Sequence, residues 1–92
     1  MNTELFFNDY YKLLKLMYDN QAVVLSKNTI PLTQGEMSLE MGISKAKINI
    51  LLNKLMEDGY IAKETRGKYV LLEKARVFIE ELSKIEDEMG ML

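Results

Sequence analysis

The chain has 92 residues, a size suited to one domain, and its 48% hydrophobic and 28% charged residues give a globular rather than a disordered balance. It contains no Cys and no His, which excludes disulfides, thiolate nucleophiles, zinc sites of the usual type and cysteine redox sensing, and removes the side chain best suited to switching near neutral pH. The net charge of −2 is unevenly spread: between Ser44 and Tyr69 six basic residues (Lys45, Lys47, Lys54, Lys63, Arg66, Lys68) face three acidic ones (Glu57, Asp58, Glu64), a local +3 in a chain whose two flanks are acidic.

A polyanion responds to the local field, so an acidic protein can still present one basic face. No apolar run approaches the roughly 18 residues of a membrane span. The start, MNTELFFNDYYK, carries acids and tyrosines where a signal peptide has a basic start and a clean apolar core, which reads as cytoplasmic. No pair of acids sits in an apolar setting that would tune it for acid–base chemistry. The expectation is therefore a non-enzyme with no catalytic residues, no metal and no cofactor.

Residues 3–19 read as an N-terminal helix, with Leu5, Phe6, Tyr10, Leu13, Leu14 and Met17 at helical spacing and Phe7, Tyr11, Leu16 and Tyr18 widening the apolar surface. One small core does not need a helix apolar on so many sides, and aromatic residues are enriched at protein interfaces. The alternatives are an amphipathic helix with its tyrosine tips in water and a helix that forms part of a dimer interface. Ala22 to Leu25 reads as either a short strand or a last helical turn. Ser26, Lys27 and Asn28 are turn residues, and Thr29 to Leu32 is extended because Pro31 disfavours helix at Ile30. That segment is a candidate strand, and Pro31 suggests an edge position.

Residues 33–60 carry the strongest pattern. Thr33 and Glu36 form a T-x-x-E capping box at a helix start. Met37 and Met41 share its inward face, and Gly42 ends the helix. Ile43 plugs the corner and Ser44 caps a second helix, 44–58, whose Ile48, Leu51, Leu52 and Leu55 fall at i, i+3, i+4 and i+7 on one face. Gly59 ends it. Lys45, Ala46, Asn49, Ile50 and Asn53 fall on the opposite face. Amides and Lys can read base edges, and an apolar side chain can meet a thymine methyl. Small Ser38, Gly42 four residues on, Ile48 six further and Leu51 three after that resemble the spacing of the helix-turn-helix motif. The bland alternative is a plain pair of core helices.

From Tyr60, β-branched and aromatic residues flank the Gly-containing turn Thr65-Arg66-Gly67-Lys68, a hairpin signature with a basic tip over 61–72. Such a tip beside a reading helix can reach a phosphate or a minor groove. Residues 73–89 form the last helix. Ala75, Phe78, Ile79, Leu82, Ile85 and Met89 share one stripe, and Phe78, Leu82, Ile85 and Met89 have the spacing of a short coiled-coil seam. Phe78, Leu82 and Ile85 have no evident second partner in so small a domain, which favours an intertwined dimer.

ISKAKINILLNKLMEDGYI (43–61) and YVLLEKARVFIEEL (69–82) carry a resemblance to the winged helix-turn-helix regulators, in particular the MarR-like transcriptional regulators. The first looks like that family's recognition helix and its exit into the wing; the second is similar to its second wing strand and the start of its dimerisation helix. The likeness covers about 30–82. Two departures stand out. The chain is shorter than typical members, with little room for their ligand pocket, and Ala62-Lys63-Glu64 stands near the place of their acid-x-Arg arrangement.

The resemblance implies a mainly α fold with a small β-hairpin wing (α+β), a single winged-helix domain over 1–92. It implies a sequence-specific double-stranded DNA-binding protein that acts as a homodimeric transcriptional regulator on a pseudo-palindromic site, with helix 44–58 in the major groove and wing 62–72 on the adjacent backbone or minor groove. The expected DNA-facing residues are Ser44, Lys45, Ala46, Lys47, Asn49, Asn53, Lys54, Arg66 and Lys68; the expected dimer residues are Phe6, Tyr10, Phe78, Leu82, Ile85 and Met89. No small-molecule effector is assigned. The alternatives are a plasmid or phage partition or replication adaptor, and a winged-helix protein-interaction module without DNA binding.

Overall fold

The computed structural model describes residues 8–24, 27–64 and 68–90. Asn8 starts the first helix, α1 (Asp9–Asp19), by accepting the Tyr11 N–H on its side-chain oxygen at 3.1 Å. Asn20 ends it. Its backbone N–H points back to the carbonyls of Met17 and Tyr18, and its side-chain amide donates to the Leu16 carbonyl at 2.8 Å. Of the helix expected over 3–19, the part from Thr3 to Phe7, with Phe6, lies outside the described residues.

In the connector the strand alternative holds over Ala22–Val24, with Leu25 and Ser26 outside the described residues, and the turn expected at Lys27 and Asn28 does not. Strands β1 (Ala22–Val24) and β2 (Lys27–Thr29) pair antiparallel, with Ala22 opposite Thr29 and Val24 opposite Lys27. Lys27 and Asn28, read from composition as turn residues, are strand residues, because ladder hydrogen bonds to the neighbouring strand outweigh their local turn preference. The extended reading of Thr29 onward holds for Thr29 at the end of β2 and for Ile30, which forms an isolated bridge: its N–H donates to the Tyr69 carbonyl at 2.9 Å. Pro31 follows immediately, where a missing N–H ends the pairing.

Helix α2 (Gln34–Met41) opens on the expected capping box: the Thr33 hydroxyl accepts the Glu36 N–H at 3.1 Å and the Glu36 carboxylate accepts the Thr33 N–H at 3.1 Å. Gly42 takes the left-handed conformation (φ 67°) and closes the helix with an N–H bond to the Ser38 carbonyl at 2.9 Å. The Ser38 hydroxyl donates to the Ile43 carbonyl across the corner. Helix α3 (Lys45–Glu57) starts on Ser44, whose hydroxyl accepts the Lys47 N–H at 3.1 Å. Its end is a Schellman arrangement around Gly59 (φ 80°): Tyr60 N–H bonds the Leu55 carbonyl at 2.9 Å, and Gly59 N–H bonds that of Met56 at 3.2 Å.

Strands β3 (Ile61–Lys63) and β4 (Tyr69–Leu71) form the antiparallel wing, with Ile61 opposite Leu71 and Lys63 opposite Tyr69. The tip, 65–67, with Arg66, lies outside the described residues. The last helix, α4 (Glu73–Gly90), packs on α1. One core joins these elements: Leu13, Leu14 and Met17 of α1, Ile30, Met37 of α2, Ile48, Leu51, Leu52 and Leu55 of α3, Ile61 and Tyr69 of the wing, and Ala75 and Ile79 of α4.

The two glycines that close helices α3 and α4 make a stability test. Gly59→Ala places a Cβ on a residue at φ 80° and is expected to cost about 1–2 kcal/mol. Gly90→Ala, at the end of α4 with open space around it, is expected to cost nothing. Urea denaturation compares the two; equal losses would show that the Gly59 turn is not conformationally constrained.

Candidate nucleic-acid interface

Helix α3 has two faces of opposite character. Ile48 and Leu52 are 0% exposed and Leu51 and Leu55 are 2% exposed, so this helix is seated in the core along its whole length. That fixes what looks outward. Lys45, Ala46, Lys47, Asn49, Asn53 and Lys54 are all exposed, as is the capping residue Ser44. These seven expected DNA-facing residues are gathered on one helix and its cap. Lys68 is also exposed, at the foot of β4, where its carbonyl accepts the Glu64 N–H at 2.6 Å.

Several of these side chains are locally engaged. The Asn53 amide donates to the Asn49 side-chain oxygen at 3.1 Å, so the two act as an i, i+4 pair. Lys54 faces Asp58 at 3.7 Å with both side chains about half exposed, a pair that contributes little to stability. Lys45 reaches toward the start of α2: a Cβ placed on Gly35 would stand 3.3 Å from its Cε, so a glycine there leaves the lysine stem its space. Ile50, placed on this face by periodicity but not among the residues expected to touch DNA, is 61% exposed. Its exposure beside two amides and two lysines is the signal that marks it.

The expected dimer residues fall into two groups. Leu82 is 5% exposed within the single chain, which corrects the expectation that it lacks a partner there. The inward stripe of α4 is Ala75, Ile79 and Leu82; a 4-3-4 spacing cannot distinguish a helix packed on its own domain from one packed on a second copy. Phe78 and Met89 are 36% and 42% exposed, and Ile85 and Tyr10 are half-buried. Phe78 touches Tyr11 and Tyr60, with ring centres 6.4 and 5.6 Å away. It shares a groove of about 240 Å³ with Tyr10, Leu14, Leu55 and Asp58, between α1, the end of α3 and the start of α4.

Burial raises the Tyr11 hydroxyl above the ordinary tyrosine value; Ser83 opposes the rise, and the Glu86 carboxylate, which accepts the hydroxyl at 3.2 Å, adds to it. Lys15 is raised mainly by its bond to Asp19 at 2.9 Å. Among the described residues no cluster of three or more acidic side chains is placed to hold a metal ion, and no helix is long and apolar enough to cross a membrane.

Neither a protein-family profile nor a curated protein sequence matches the chain. Solved structures do. The complex of S. aureus MepR with DNA aligns over 96% of this chain and 72% of that one, with a TM-score of 0.70 and 23% identity. A point mutant of S. aureus MepR aligns over 97% and 66%, with a TM-score of 0.72 and 22% identity. TTHA1359, a transcriptional regulator of the CRP/FNR family from Thermus thermophilus, aligns over 79% and 41%, with a TM-score of 0.64 and 16% identity. The chain thus spans 41% of the length of the Thermus regulator and 66% of that of the MepR mutant. At such identities the likeness is one of fold. It agrees with the element order: the chain is mainly α with a small β-hairpin wing, a winged helix-turn-helix.

The two faces of α3 predict opposite sensitivities. Asn49→Ala and Lys54→Ala should leave stability within about 0.5 kcal/mol of the parent. Ile48→Ala, at a fully buried site, should cost about 2–5 kcal/mol. Thermal and urea unfolding check both; a large loss from Asn49→Ala would mean that its bond to Asn53 is structural.

Proposed function

We propose that the chain is a sequence-specific double-stranded DNA-binding protein, a homodimeric transcriptional repressor of the MarR-like type. In this reading α3 enters the major groove and the wing lies on the adjacent backbone or minor groove. The observation that carries it is the outward face of α3: amides, lysines and small apolar groups, all exposed, on a helix held rigid by four core side chains. The local positive charge of 44–69 and the likeness of fold to MepR, a protein solved with DNA, support it.

The roles divide by position. Asn49 and Asn53 present amide groups to base edges. Lys47 and Lys54 lie toward one flank, where a sugar–phosphate wall would run, and Lys68 stands next to β4. A mobility-shift screen of genomic fragments at low salt should retain specific fragments, with log affinity falling by about 0.9 per phosphate contact for each decade of salt. Asn49→Ala should cost about 1–3 kcal/mol on the specific site and little on random duplex, whereas Lys54→Ala should weaken both alike. Retention of no fragment would end this reading and leave a protein-interaction module in its place.

The dimer rests on apolar groups that are not fully buried within the chain: Phe78, Ile85 and Met89 on α4, and Tyr10 on α1, which is packed against the core but only partly buried. A two-fold dimer would place its two α3 helices about 34 Å apart, matching successive major grooves. In analytical ultracentrifugation at roughly ten micromolar, where a micromolar interface is mostly formed, the parent should sediment as a dimer and Met89→Glu should shift it toward monomer. Leu82→Glu is expected to unfold the chain instead, because Leu82 is buried within it. A parent that is monomeric under these conditions refutes the dimer.

A further inference from the structure

We propose that Ile50 sets sequence preference by packing on the 5-methyl group of a pyrimidine in the major groove. The inference rests on the DNA-binding reading of α3. Of the five large aliphatic residues on this helix at positions 48, 50, 51, 52 and 55, four are at most 2% exposed, while Ile50 is 61% exposed. At about 100° per residue, Ala46, Ile50 and Asn53 lie within about 30° of the line opposite the buried four. Ile50 is therefore near the crest of the outward face. Ala46, one turn before it, is too small to hold a partner surface away.

Its neighbours determine what it can meet. Lys47 and Lys54 flank it on one side, and both are exposed. The Asn49–Asn53 pair flanks it on the other, with the Asn53 amide bonded to the Asn49 oxygen at 3.1 Å. An apolar group between cations and amides suits a surface with anions at its rim and both polar and apolar atoms on its floor. The major groove is such a surface, and the apolar group on its floor is the 5-methyl of thymine, or of 5-methylcytosine where a cytosine is modified. A branched side chain with few rotamers makes that contact at a small entropic cost. Lys47, Ile50 and Leu51 also border a shallow depression with Asn8, Asp9 and Tyr10, which makes a contact between two copies of the chain the competing use of this residue.

The test uses the full chain. Duplexes retained from a random library are resynthesised with deoxyuridine replacing thymidine one position at a time, and with 5-methylcytosine or cytosine at the position so identified. The expected result is a thymine position where loss of the methyl weakens the parent about four-fold, the worth of burying one methyl-sized group. Ile50→Ala should bind the thymine duplex about four-fold more weakly and no longer distinguish uracil, and Ile50→Val should still distinguish it. Binding that improves from cytosine to 5-methylcytosine at that position shows that the methyl itself is read, whichever base carries it. If uracil weakens the parent and Ile50→Ala equally, or no thymine position matters, the assignment of Ile50 falls while the DNA-binding reading stands. A change in oligomeric state on Ile50→Ala, seen by sedimentation, assigns the residue to a chain–chain contact instead and overturns the inference. Retention of no duplex removes both readings.

Discussion

The structure depends on the burial of four aliphatic side chains from one helix. Ile48, Leu51, Leu52 and Leu55 hold α3 against α1, α2 and the wing, and each such side chain contributes about 1.5–3 kcal/mol by leaving water. In a chain of this size that is a large part of the driving force. The same packing fixes the helix in rotation: turning it by one residue position would expose leucines and bury an asparagine or a lysine. Orientation of the outward face is thus a by-product of core formation. Both ends of the helix are fixed by backbone rules, with Ser44 closing the start and Gly59 turning the chain into the wing.

The wing is tied to this scaffold at several points. Ile30 bonds the Tyr69 backbone at 2.9 Å, and Gln34 of α2 donates to the Tyr69 hydroxyl at 3.2 Å. Leu72 N–H bonds the Tyr60 carbonyl at 2.9 Å, joining the two strands at their base. Lys74 then donates to the Asp58 carbonyl at 2.7 Å while its ammonium lies 4.4 Å from the Tyr60 ring centre. A cation at the carboxyl end of α3 also suits the negative end of the helix dipole. The end of α3, the base of the wing and the start of α4 are therefore one connected piece. These contacts fix the relative position of the helix and the wing.

Legibility in the sequence follows how local each determinant is. The α2–turn–α3 unit is readable because its signals, the Thr33–Glu36 box, Gly42, Ser44 and the four-residue stripe, each act within a few residues. The β1–β2 hairpin is only partly readable: a strand at Ala22–Val24 is one of the two readings its residues allow, while Lys27 and Asn28 favour a turn locally and are held extended by pairing with Val24 and Val23. Spacing alone puts Leu82 in the wrong environment, because it gives the face of a helix but not which body covers it. On the candidate site, the residues that periodicity places outward are exposed. It cannot show that Asn49 and Asn53 bond to one another, since that depends on side-chain rotamers, nor how far Ile50 stands clear of its neighbours.

Net charge is the weakest guide, and the structure shows why. Several acids of α4 are drawn into contacts with α1 and with α4 itself. Glu86 accepts the Tyr11 hydroxyl at 3.2 Å, Glu80 accepts that of Tyr18 at 3.5 Å, and Arg76 lies between Glu73 and Glu80. Burial is the main cause that raises the Tyr11 hydroxyl above its ordinary value. The negative charge is thus anchored on the α1–α4 side, where α4 makes its main helix contact. On α3 the balance is reversed: Lys45, Lys47 and Lys54 are exposed, and the acids Glu57 and Asp58 stand only at its end. A charge separation of this kind gives the molecule a direction in the field of a polyanion. Within a Debye length of about 8 Å at physiological salt, the field at α3 is set by its own lysines together with Glu57 and Asp58, and Asp58 already stands 3.7 Å from Lys54.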